Sequence, residues 1–180
     1  MKTKAPSYAV NFDLARLADA GTEIALKPTP EQRADLARWA GLDSIEALHG
    51  TVRLKKLGAG HYSYDARFSA DVVQPCVVTL VPVRTHIERE FQRIFQVTDA
   101  RVAAPQQRAI ELPSKVTTDD EEPEVLSSPV LDVAAPVLEE LALAIDPYPR
   151  ALGVAFQPPA DDQDRTESPF AVLKQLKTKR

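Results

Sequence analysis

The sequence predicts an α+β fold: an antiparallel sheet of three to five strands, open or barrel-like, covered by helices on one side. Two observations carry this expectation. From His61 to Val72 the chain alternates, with Tyr62, Tyr64, Ala66, Phe68, Ala70 and Val72 on one parity and His61, Ser63, Asp65, Arg67, Ser69 and Asp71 on the other. A two-residue period of this kind marks a strand with one dry face and one wet face. Apolar residues also recur at helical spacing around Leu36 and Trp39, and again from Val133 to Ile145. Strands with a single apolar face ask for helices on that face only.

Taken in order, the stretch from about Asp13 to Ala20 reads as a helix, with Asn11 or Asp13 as cap and Gly21 as its end. Thr22 to Lys27 alternates weakly and reads as a strand. A second helix has fuller signals: Thr29 as N-cap, Pro30 at the first position, Gln32 completing a capping box and Gly41 as the stop. Its predicted apolar face joins Ala34, Leu36, Trp39 and Ala40, with Trp39 a packing anchor in preference to a nucleobase platform. Strands follow at Ile45 to Leu57, His61 to Val73 and Thr85 to Val97, the first two joined through Gly58-Ala59-Gly60. Cys76 to Val81 fits either a further strand or a buried turn.

Thr98 to Pro129 loses periodicity and carries the acidic block Asp119, Asp120, Glu121, Glu122 and Glu124 among several prolines, which predicts a mobile loop. A helix is expected from Asp132 to Asp146, capped by Asp132, with Val133, Val137, Leu138, Leu141, Ala142 and Ile145 on one side and Pro136 in the first turn. Pro147 and Pro149 stop it. These elements make residues 1–156 one α+β domain, and 157–180 a polar linker and a short helix opened by Ser168 and Pro169. In that last stretch Phe170, Val172, Leu173 and Leu176 are apolar, while Lys174, Lys177, Lys179 and Arg180 are basic. A helix so short is marginal alone and needs a surface, on a partner or on the sheet.

Composition narrows the function classes. A chain of 180 residues with 44% hydrophobic residues can build a real core. One cysteine excludes an internal disulfide and fits a reducing compartment. Neither an apolar run of membrane-spanning length nor a signal-peptide pattern occurs, so a soluble cytoplasmic protein is expected. The net charge of −4 is the wrong sign for a generic nucleic-acid coat protein, although the acidic block masks a locally basic tail.

No catalytic constellation emerges. Gly58-Ala59-Gly60 lacks the helix and Lys-Ser/Thr of a phosphate loop. His49, His61 and His86 have no metal-ligand spacing, and a Cys76–His86 nucleophilic pair has nothing in the sequence to orient its histidine. Glu139 and Glu140 are adjacent on a helix and read as a solvated face. Cys76, beside Val77 and Val78, reads as a small buried hydrophobe. Arg84, Arg89 and Arg93 lie on or beside one strand and are candidate phosphate contacts, as are the four basic tail residues, with Phe170 a candidate partner contact. Arg89 and Arg93 share the parity of Ile87 and Phe91, so either the strand is bulged or the arginines sit at a rim with their stems against apolar surface.

Cys76, Pro82, the strand from Thr85, the helix from Asp132 and the tail Ser168-Pro169-Phe170-Ala171-Val172-Leu173 occur in an order that resembles the YceD family of bacterial proteins. The family pattern reads Cys-x-x-Cys-x-x-Pro, a strand, an acidic Leu-rich helix and Asn-Pro-Phe-Ala-Val-Leu. The resemblance covers most of the chain from Gly50 onward and implies a non-enzymatic factor for accumulation of large-subunit ribosomal RNA, acting on that RNA or on an assembly protein. A protein adaptor without RNA contact is the alternative. Many relatives carry a second Cys three places after the first, and a His and a Cys after the acidic helix, which together suggest a zinc site. Here Thr79 and Asp146-Pro147-Tyr148-Pro149-Arg150 stand at those places, so neither metal nor other cofactor is expected.

Overall fold

A computed structural model describes residues 6, 8–98 and 122–155 of the chain. The described elements run β1 (Asn11–Asp13), a single 3-10 turn (Leu14–Arg16), β2 (Thr22–Leu26), α1 (Pro30–Ala40), β3 (Ser44–Gly58), β4 (His61–Pro75), β5 (Pro82–Val97), β6 (Glu124–Leu126), β7 (Val130–Asp132) and α2 (Ala135–Ala144). The fold is α+β and mostly sheet. Five strands form one sheet in the order β2-β3-β4-β5-β6, and β1 pairs with β7 in a separate two-stranded ribbon.

The three long strands explain themselves. Tyr64, Ala66, Phe68, Ala70 and Val72 point into the core from β4, and Val52, Leu54 and Ile87 join them from its neighbours. Antiparallel register puts Ala66 between Val52 and Phe91, and Ala70 between Leu48 and Ile87, so matched parities make one apolar face. Leu36 and Ala37 of α1, and Val137, Leu138 and Leu141 of α2, are buried in the same cluster. The other sheet face carries the polar parity, as the alternation predicts.

α1 follows its sequence signals closely. Thr29 Oγ1 accepts from the Gln32 amide, the Gln32 side chain accepts from the Thr29 amide, and Gly41 closes the helix at φ +70°. Ala34 is exposed, however; Arg33 lies inward instead, donating to the carbonyls of Pro28 and Ile45. Between β3 and β4, Gly58 pairs with His61 across Ala59 (φ 49°) and Gly60 (φ 77°), the positive-φ pair of a type I′ hairpin.

Several expectations need correction. The helix foreseen over Asp13–Ala20 is a strand end and one 3-10 turn: Asp13 caps that turn by accepting from the Ala15 amide, and no second turn follows. The sheet is open, with no barrel closure, and it is mixed because β6 runs parallel to β5. β6 lies inside the stretch expected to be mobile; Leu126 accepts from the Thr98 amide, so residues 122–129 belong to the ordered fold, while 99–121 lie outside the described residues. The second helix starts at Ala135, not Asp132. Asp132 ends β7, and its carboxylate accepts from the amides of Val10 and Ala134, tying the ribbon to the helix entry. Ala142 points out to solvent, whereas Ala144 and Ile145 pack against the core.

Candidate functional site

Three candidate residues, Arg84, Arg89 and Arg93, lie on β5, and the fold gives them different surroundings. The β4–β5 register runs unbroken from His61↔Gln96 to Pro75↔Pro82, so no bulge reorients the arginines. Arg89 and Arg93 do lie on the core-facing side, at its rim.

Arg93 is largely enclosed, its side chain 17% exposed. It donates to Glu124 on β6 (3.1 Å) and to Glu139 (2.8 Å) and Glu140 (3.1 Å) on α2. Its guanidinium carbon stands 5.5 Å from the centre of the Phe91 ring, within cation–π range. Burial opposes its charge, but the hydrogen bonds to Glu139 and Glu140 prevail and hold its pKa above the usual value. Below it Tyr64 is fully buried and donates to the Val133 carbonyl at 2.7 Å, with burial raising the phenol pKa. Glu139 is exposed, as a solvated face predicts, and Glu140 is half-buried, but both are also ion-paired: consecutive helical positions straddle one guanidinium. The sequence offered no signal for this, because the three carboxylates come from two distant segments.

Arg84 pairs with Glu46 at 3.1 Å. The open sheet face continues this pattern with Arg53–Glu23 (3.0 Å), Arg67–Glu90 (2.9 Å) and His86–Asp71 (2.6 Å). Exposed pairs of this kind add about 0–1 kcal/mol each. For the arginines, the main effect is to cancel positive charge that phosphates would otherwise find. Arg89 differs: it is exposed, and its guanidinium donates to the carbonyl of neighbouring Glu88. Phe170, Lys174, Lys177, Lys179 and Arg180 lie outside the described residues.

At the far end of β4 and β5, residues Cys76 to Val81 form a tight turn and not a strand. The Cys76 amide donates to Val81 and the Leu80 amide to Cys76, with Leu80 at φ +62°. The chain leaving α2 is bound to this turn: the Val77 amide donates to the Pro149 carbonyl (2.9 Å), the Ala151 amide to Cys76 Sγ (3.4 Å), and Gln74 Nε2 to the Asp146 carbonyl (2.9 Å). Cys76 is buried, as expected. Its thiol nevertheless ionises more readily than usual, lowered from 9.0 to about 6, because the Thr79 side chain and then the Ala151 and Val78 amides donate to the sulfur. His86 is engaged with Asp71 and makes no nucleophilic pair with this cysteine.

The positions that the resemblance links to zinc therefore do meet in space: Cys76, Thr79 and the segment after α2. The residues present do not fit the metal, since one sulfur is joined by a hydroxyl and backbone amides where zinc takes four Cys or His donors. Among the described residues no three His, Cys, Asp or Glu side chains gather as a metal group. Among them also, no helix is long and apolar enough to cross a membrane.

An open five-stranded sheet covered on one face by two helices, with a cysteine-centred turn and an enclosed arginine, defines the class as an α+β domain. The chain belongs to the YceD family: the family model described as large ribosomal RNA subunit accumulation protein YceD matches residues 64–177, from near the start of β4 into the tail. No curated protein and no solved structure matches it.

Proposed function

We propose that this protein is a non-enzymatic, cytoplasmic factor in ribosome biogenesis that supports accumulation or processing of large-subunit ribosomal RNA by binding RNA or an assembly partner. Family membership over residues 64–177 is the observation that carries this reading. The ion pairs bear on which candidate residues support it. Of the candidate residues, Arg93 is committed to three carboxylates and Arg84 to one, so the reading rests on Arg89 of the folded body and on Lys174, Lys177, Lys179 and Arg180 of the tail as phosphate contacts.

A second reading, a protein adaptor without RNA contact, draws support from the net charge of −4 and from the cross-strand pairing of basic residues on the open face. Co-sedimentation of the purified chain with large-subunit precursor particles, and binding to the naked ribosomal RNA over a salt series, separates the two. RNA contact predicts affinity for naked RNA that falls log-linearly with salt. Association with particles that leaves naked RNA unbound at every salt concentration favours the adaptor. Failure to associate with particles at all overturns both.

A further inference from the structure

Among the described residues, more than half of the exposed large apolar side chains gather in one place. Of the nine among the described residues, five lie on two adjoining segments: Val77, Leu80 and Val81 on the turn between β4 and β5, and Tyr148 and Leu152 on the chain leaving α2. The bonds from Val77 to Pro149 and from Ala151 to Cys76 make these segments one surface.

Leu80 is the least economical residue in that surface. It occupies left-handed backbone space at φ +62°, which disfavours a side chain, and it is 77% exposed, which disfavours leucine. Glycine or asparagine would serve the turn better on both counts. Strain at an exposed apolar residue points to an occupant for which the leucine is kept.

The chain itself supplies one. The described chain ends at Ala155, three residues past Leu152, so it leaves from the patch itself. Residues 156–167 are mostly polar, and Ser168 to Leu176 then brings Phe170, Val172, Leu173 and Leu176. The family match spans residues 64–177, a range that takes in the turn, α2 and most of the tail.

We propose that the segment Ser168 to Leu176 docks in cis on the patch formed by Val77, Leu80, Val81, Tyr148 and Leu152. Twelve residues, 156–167, join the two; a chain of that length spans at most about 40 Å, and such a tether holds its end at an effective concentration of order millimolar. An intrinsic affinity too weak to matter between separate molecules is then enough. Docking covers the apolar surface and fixes the basic residues from Lys174 to Arg180 at this pole of an otherwise acidic chain. The proposal does not depend on the ribosomal reading.

Methyl NMR on the full chain tests it. The variant Phe170→Asp with Leu173→Asp should shift the methyl signals of Val77, Leu80, Val81 and Leu152 and leave those of Leu48 and Val52 in place. In reverse, Leu80→Asp with Leu152→Asp should move Val172 and Leu176 to the positions of an unstructured chain. Both effects should persist on tenfold dilution. Patch signals unmoved by the tail variant overturn the proposal, as do shifts that vanish on dilution, which would assign the surface to a second copy. Patch signals indifferent to the tail yet broadened by added ribosomal particles would give it to an external partner and overturn it equally. Should the patch variant unfold, the tail variant, altered outside the described body, still decides.

Discussion

Arg93 concentrates more structural consequence than any other charged residue described. Removing its guanidinium leaves Glu124, Glu139 and Glu140 facing one another without a cation. Arg93→Met, which keeps the stem against Phe91, should lower stability by about 1–3 kcal/mol, the upper end discounted because two of the carboxylates are half exposed. Chemical denaturation measures it. Ala59 offers the opposite case, since an alanine at φ 49° in a type I′ turn is strained. Ala59→Asn, giving Asn-Gly, should raise stability by about 0.5–1 kcal/mol without touching the core.

Cys76 carries a pH dependence whose sign follows from its donors. Its folded-state pKa lies below the unfolded value, so the stabilisation is fully present above pH 9 and is lost as pH falls through about 6. Between pH 9 and 6 the wild-type chain should therefore lose stability relative to Cys76→Ala. Denaturation midpoints of the two proteins at both ends of that window report the difference. An identical pH profile for both would show that the sulfur does not titrate in this range.

At the scale of elements, β6 is held by little. It pairs with β5 over three residues, one of them Glu124, which Arg93 grips. Arg93→Met should therefore release β6 before anything else, seen as faster hydrogen exchange at the Thr98 amide, which donates to Leu126, while β4 amides stay protected. The helix α1 depends on its ends, and Thr29→Ala should cost about 0.5–2 kcal/mol through loss of the capping box. The contrast with Asp13 is instructive. Both residues have a cap-like side chain, but after Asp13 the buried Leu14 and Leu17 are drawn into the core and the chain turns away after one 3-10 turn.

For the molecule as a whole, charge distribution sets the form that the proposed RNA contact would take. A body whose strand arginines are mostly paired and a tail with four cations predict that the tail dominates the salt dependence. Deleting residues 168–180 should lower the log–log salt slope on large-subunit ribosomal RNA by about 3, and Arg89→Glu by about 1 or slightly more. An unchanged slope after the deletion would remove the tail from the RNA interface.

Local chemistry was legible in the sequence. Alternation in β4, the Gly-Ala-Gly hairpin, the capping box of α1 and the burial of Cys76 each depend on residues within a few positions of one another, where periodicity and backbone preference act directly. So did the order of motifs that marks the family, since it runs along the chain. Only the tertiary structure placed β6 beside β5 and set Glu124, Glu139 and Glu140 around Arg93. It alone brought Ala151 to the sulfur of Cys76, 75 residues away. Those contacts join segments far apart in sequence, and their free energy comes from burial and charge pairing that exist only once the sheet has assembled. No residue in them announces its partner, because a glutamate on a helix looks the same whether it faces water or an arginine.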